Sequence, residues 1–187
     1  MLPLMIDVKN RPVVIIGGGK IACRRLAVFL EQGAAVTVVS PEAAAEIQEL
    51  HLAGIITWKQ KEVQKEDLSD AFLIIAAAGS REVNAWAAEA AGKHQLVNIA
   101  GEAGLGNVQV PSIKKRGRLT LSVSTDSASP ALAKEVASHF AGQLKDPFIS
   151  KLNELHEQRK NIHASDLSNE EKKKLLKKLA DDCMELL

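Results

Sequence analysis

Short apolar runs alternate along the first part of the chain with longer segments whose apolar residues recur at helical spacing. Val13–Ile16 (VVII) is β-branched and of strand length, the signature of a buried strand. A helix is predicted from about Ile21 to Gln32, with Leu26, Phe29 and Leu30 on one face and Gly33 as its C-terminal stop. Ala35–Val39 reads as a second strand. Residues 43–54 (AAAEIQELHLAG) read as a helix with Ile47, Leu50 and Leu52 turned inward. Ile55–Trp58 is strand-like, Phe72–Ala77 is strongly apolar, residues 80–95 are helical, and Leu96–Ala100 is a further strand. Strands alternating with helices predict a parallel sheet covered on both faces.

This α/β pattern, wound with right-handed crossovers, predicts a doubly wound Rossmann-type domain over residues 1–112. It changes after Pro111. "SIKKRGRLTLSVSTD" holds two strand-like pieces around a basic turn at Arg116-Gly117. "SASPALAKEVASHFAGQL" is a helix with Ser129 as N-cap and Pro130 at its first position. Residues 113–146 therefore form a small α+β segment and 147–187 a helical region. In the latter, Ser168 and Glu171 make a capping box ahead of Leu175, Leu179 and Cys183 on one face.

Composition narrows the function. A length of 187 residues allows one domain plus an appendage, and 46% hydrophobic residues suffice for a packed core. A net charge of +1 gives no bulk argument for nucleic acid or an anionic membrane. No apolar run is long enough to span a bilayer, and the N-terminus lacks the features of a signal peptide. Cys23 and Cys183 are too few and too far apart for a disulfide framework, so a cytoplasmic, reducing setting is expected. The chain contains no tyrosine, which excludes oxidoreductases that use a Tyr/Lys pair as the acid. No CxxC or HExxH spacing occurs, so no metal site is expected.

The glycines after the first strand carry the chemistry. Gly17, Gly19 and Ala22 match G-x-G-x-x-G/A between a strand and a helix. Gly17 permits the tight turn, Gly19 lets backbone approach a pyrophosphate, and Ala22 lets the helix pack close to the sheet. The helix N-terminus offers free N–H groups to the phosphates. The acid that commonly ends the second strand and binds the ribose 2′-OH is replaced by Ser40, with Glu42 two residues on. That leaves NADP open beside NAD, with Arg24 and Arg25 as nearby cations.

Several ordered segments resemble one family. They are "LPLMIDVKNRPVVIIGGGKIACRRLAVFLEQGAAVTVVSPE", "FLIIAAAGSREVN", "LVNIAGEAGLGNVQVPSIKKRGRLTLSVST" and "ASPALAK". Together they resemble the precorrin-2 dehydrogenases of siroheme biosynthesis, also found as the N-terminal part of siroheme synthases. The resemblance implies NAD-dependent oxidation of precorrin-2 to sirohydrochlorin, and in some members Fe²⁺ insertion, the iron being a substrate. It implies a homodimer made through the segment after the Rossmann domain. It maps cofactor contacts onto Gly17, Gly19, Lys20, Ile21, Pro41 and Glu42, with Ser40 beside them.

Two departures from the family pattern bear on catalysis. Many members carry aspartate where this chain has Gly101, followed by Glu102, and a glycine pair where this chain has Asp126 and Ser127. Glu102, at the carboxyl end of a strand, is the first candidate for a proton acceptor and Asp126 the second. His139 ranks behind them, as a surface or interface histidine. Precorrin-2 bears eight carboxylates, so Lys114, Lys115, Arg116 and Arg118, with the helix start at Ser129, are the candidate substrate contacts. Without aspartate at 101, iron insertion is expected to be weak or absent. A non-catalytic NAD(H)-binding redox sensor is the alternative reading; it would need the glycine turn but no macrocycle cleft.

Overall fold

The computed structural model describes residues 1–187, which separate into two compact units, Met1–Val110 and Pro111–Leu187. The first unit is a five-stranded parallel sheet in the order β3-β2-β1-β4-β5, formed by β1 (Pro12–Ile16), β2 (Ala35–Val39), β3 (Thr57–Lys59), β4 (Leu73–Ala76) and β5 (Leu96–Ile99). Helices α1 (Lys20–Glu31), α2 (Ala45–Leu52) and α3 (Arg81–Ala90) connect them. The order runs outward from β1 through β2 to β3, then restarts on the other side with β4 and β5. The β1/β4 boundary is therefore the topological switch point, where such sheets bind ligands.

Period-two alternation along β1 assigns its faces. Val13 and Ile15 join Leu26, Phe29, Val38, Ile47 and Ile75 in one buried cluster. Val14 and Ile16 join Val39, Leu68, Ile74, Ala87 and Val97 in the other. Both faces of the central strands are dry, which explains continuous apolar runs instead of alternation. Each fully buried Ile or Leu contributes roughly 1.5–3 kcal/mol. Helix α1 stops as its sequence requires: Gly33 takes φ +74, and the amides of Gly33 and Ala34 return to the carbonyls of Leu30 and Phe29, a left-handed cap.

Some boundaries and faces differ from expectation. Leu52 is 85% exposed, because α2 is only two turns long and its last residue has passed the sheet. The third strand is displaced to Thr57–Lys59. The helix expected to reach Gln95 ends at Ala90; Gln95 instead accepts from the Gly92 amide and donates to the carbonyls of Leu68 and Ala71.

The second unit contains a two-stranded antiparallel hairpin, β6 (Ser112–Arg116) and β7 (Leu119–Val123), and helices α4 (Pro130–Gln143), α5 (Asp146–Ala164) and α6 (Asn169–Met184). Helix α4 packs on the hairpin through Ala133, Ala137 and Ala141, and α5 pairs with α6. Ser129 caps α4 by accepting from the Leu132 amide, and Ser168 and Glu171 form the reciprocal box at α6. On α6 the buried residue is Cys183, whereas Leu175 is 41% exposed. Among the described residues, no helix is long and apolar enough to cross a membrane.

One buried charge braces the first unit. Asp67, on the short 3₁₀ turn Lys65–Leu68, pairs with Lys59 at 2.9 Å and Lys61 at 2.7 Å and accepts from the Gln64 amide at 3.0 Å. Burial would raise its carboxyl; the hydrogen bonds from Lys61, Lys59 and Gln64 overcome that and hold it at about 2. A depressed folded value gives stability that is present above the ordinary aspartate range, near pH 4, and lost as pH falls toward 2. Asp67→Asn is expected to lower urea stability by about 2 kcal/mol at pH 7, with the gap to wild type closing near pH 2. A constant gap across that range would contradict this role.

Candidate cofactor cleft

The turn from β1 into α1 is locked on two sides. The Gly17 amide donates to Val39 at 3.0 Å, and Gly17 sits at φ +109. A Cβ at Gly17 would lie 2.5 Å from the Ala77 carbonyl oxygen, and one at Gly18 would lie 2.1 Å from that of Glu42. The Ala44 amide also donates to the Gly18 carbonyl at 2.8 Å. The turn is thus pressed against the segments leaving β2 and β4. Gly19 differs: a Cβ there meets nothing within 4 Å.

Helix α1 starts at this open position with Gly19 as N-cap, no side-chain cap and no acid in its first turn. Its first-turn amides are therefore not satisfied by side chains, as at α2 and α5, whereas Ser80, Ser129 and Ser168 cap α3, α4 and α6. Uncapped amides at the positive end of a helix dipole fit a phosphate group. Lys20 and Ile21 occupy that first turn, both exposed.

Beside the turn lies a cleft of about 510 Å³, lined by Gly17 from the turn, Ser40 and Pro41 after β2, Glu62 and Val63 after β3, and Ala78, Gly79, Ser80, Glu82, Val83 and Trp86 after β4. It lies at the carboxyl ends of the strands, at the switch point. Its apolar wall includes Val63, Ala78, Val83 and Trp86. The loop after β4 is fixed by buried Asn84, whose side chain accepts from the Ala78 amide at 3.0 Å and donates to the Ala78 carbonyl at 3.1 Å. Ser80 caps α3 and donates to Glu82 at 2.6 Å; that hydrogen bond holds the Glu82 carboxyl below its usual range.

Gly17, Ser40 and Pro41, named from the sequence, come together here. Ser40 is buried, and both its hydroxyl and its carbonyl accept from the Trp58 indole N–H, at 3.2 and 3.1 Å. Glu42 does not line the cleft; it contributes the carbonyl packed against Gly18. Sequence reasoning missed Gly18, Glu62, Val63 and the Ala78–Trp86 wall. The one signal for that wall was the Ser80 helix start after an apolar strand.

Glu102 follows β5, and its carboxylate is paired with the Arg81 guanidinium at 2.9 Å. Gly101 is exposed at φ +84. In the second unit, Arg116 donates to the carbonyls of Ala141 and Leu144 and pairs with Asp146. It caps the end of α4, so it is not a free cation for substrate. Lys114, Lys115 and Arg118 form no side-chain ion pair among the described residues. Gly117 presses the hairpin turn onto Ile149 and Asn153 of α5. Asp126 and Ser127 take φ 48 and 70, and the Ala128 amide returns to the Thr125 carbonyl, the pattern of a type I′ turn, which favours glycine. Ser129 already holds the Leu132 amide. His139 is exposed and within 3.1 Å of Gln143. Among the described residues, no group of three or more His, Cys, Asp or Glu is placed to hold a metal.

Gly18 and Gly19 should separate by substitution. Gly18→Ala meets unyielding backbone and should lower stability by at least about 2 kcal/mol. Gly19→Val, facing open space, should fold with little change in Tm and lose dinucleotide binding. Thermal melts and calorimetry distinguish them; unchanged affinity in folded Gly19→Val would remove the phosphate-site assignment.

A family model described as NAD(P)-binding matches residues 4–112. A precorrin-2 dehydrogenase of Priestia megaterium is 39% identical over 182 residues, covering 97% of this chain and 90% of that protein. One from Bacillus subtilis (strain 168) is 42% identical over 160 residues, 86% of this chain and 99% of that protein. A siroheme synthase of Methylococcus capsulatus is 39% identical over 136 residues, which are 72% of this chain and 29% of that longer protein. The solved structure of SirC, a precorrin-2 dehydrogenase, superposes with a TM-score of 0.85 at 39% identity, covering 97% of this chain and 90% of that one. The NAD(P)-binding family match over residues 4–112 and relatives covering most of both chains converge: the chain belongs to the precorrin-2 dehydrogenase family.

Proposed function

We propose that this chain oxidises precorrin-2 to sirohydrochlorin in siroheme biosynthesis, with NAD as the oxidant. The observation that carries this is the uncapped start of α1 opening from a glycine turn beside the switch-point cleft. When bound, the nicotinamide supplies the hydride acceptor. The chain's own residues hold and orient. The first-turn amides of α1, with Lys20 and Ile21, hold the phosphates, and the wall of Val63, Ala78, Val83 and Trp86 takes the flat adenosine half. Lys114, Lys115 and Arg118 supply cations for the substrate carboxylates.

The proton lost with the hydride leaves a macrocycle that gains conjugation, so no strong base is required. Glu102 is held by Arg81, and its role here is to tie the end of β5 to the start of α3. Asp126 serves the turn before α4. Metal insertion makes a further demand, since pyrrole protons must be accepted. With Gly101 at the family's aspartate position, iron insertion is weak or absent. The chain acts as a homodimer through residues 113–145. A two-stranded hairpin is marginal alone, and Ile113, Leu132 and Phe140 are each about half exposed.

Incubation with precorrin-2 and NAD⁺ should produce the sirohydrochlorin spectrum, and added Fe²⁺ should accelerate siroheme formation little. Glu102→Gln should keep the oxidation rate within about threefold; a loss on the 10²–10⁴ scale would instead make Glu102 an acid–base group. Light scattering should give twice the chain mass. No oxidation with either NAD⁺ or NADP⁺ would refute the proposed activity.

A further inference from the structure

We infer that Glu62 is the residue that makes this site select NAD over NADP. The inference rests on the reading of the cleft as a dinucleotide site. The strand-end position that commonly carries the ribose-binding acid is Ser40, and its hydroxyl and carbonyl are both engaged by the Trp58 indole. Discrimination therefore has to come from another wall. Among the described residues, the charged side chains lining the cleft are Glu62 and Glu82, with no Lys or Arg. Arg24 and Arg25, the sequence-based cations for a 2′-phosphate, sit on α1 outside that lining.

The two carboxylates are not equivalent. Glu82 lies in the first turn of α3 and accepts from Ser80 at 2.6 Å, so its charge is met by a hydroxyl and the helix N-terminus. Glu62 makes no side-chain hydrogen bond or ion pair among the described residues. The lysines on its own segment, Lys59 and Lys61, are both drawn to Asp67. The Asp67 clamp thus does two things. It fixes the segment from Lys59 to Gln64 that carries Glu62 and Val63 to the cleft, and it engages Lys59 and Lys61, which flank Glu62 on the N-terminal side. An unmatched carboxylate there accepts hydrogen bonds from a sugar hydroxyl and repels a phosphate of nearly two negative charges. In a solvent-open cleft that repulsion disfavours the phosphorylated cofactor on the order of tenfold. Asp67 is a positioning residue in this scheme.

The test is equilibrium binding of NAD⁺ and NADP⁺ to the full chain by calorimetry, at low and high salt. Wild type should prefer NAD⁺ by at least about tenfold, with the preference shrinking as salt rises. Glu62→Gln should bind NAD⁺ within about threefold of wild type and gain about tenfold toward NADP⁺. Glu62→Lys should reverse the preference. Glu31→Gln, on α1 outside the cleft, controls for net charge and should leave the ratio unchanged. An unchanged ratio in folded Glu62→Gln and Glu62→Lys, with NAD⁺ still bound, would overturn the assignment of Glu62 alone. Failure of wild type to bind either dinucleotide would overturn the cofactor reading beneath it.

Discussion

The first unit depends on one steric constraint: the turn after β1 must pass between the segments leaving β2 and β4 with no room for a side chain. Gly17 faces the Ala77 carbonyl and Gly18 faces that of Glu42, both at distances that no Cβ survives. Hydrogen bonds from Gly17 to Val39 and from Ala44 to Gly18 fix the same approach. Because the turn is held on both sides, the start of α1 is pinned at the switch point. Its uncapped amides then point at a defined place without further ordering when a ligand arrives.

The cleft walls are built by polar groups that serve the backbone. Asn84 pairs with both polar atoms of the Ala78 peptide linkage region and so shapes the loop after β4. Asp67 gathers two lysines and an amide and so shapes the segment after β3. Removing one partner of such a buried set leaves the other unsatisfied, which is the costly case. Stability and site geometry therefore rest on the same few residues, none of which needs to touch substrate.

Much of the fold was legible because parallel strands buried on both faces write continuous apolar runs: VVII and FLIIAAA announce β1 and β4 directly. Gly33, Ser129 and Ser168 marked helix ends by mechanisms that act within a few residues. Leu52 misled because periodicity alone does not reveal where a short helix overhangs its sheet. The tight turn after β1 was legible from Gly17 and Gly19 for the same local reason. The places of Glu62 and Trp86 in the cleft wall and the close approach at Gly18 were not, because they arise from contacts between segments far apart in sequence. Arg116 illustrates the converse: among four cations in "KKRGR", nothing local says that one is committed to the end of α4.

The central claim is that the first-turn amides of α1 receive the dinucleotide phosphates. Amide chemical shifts followed during NAD⁺ titration of isotope-labelled protein test it most directly. The account predicts that Lys20, Ile21 and Ala22 move together with residues of the 78–83 loop, saturating in step, while the capped first turn of α6 stays still. Saturable NAD⁺ binding that leaves Lys20, Ile21 and Ala22 unmoved would contradict it.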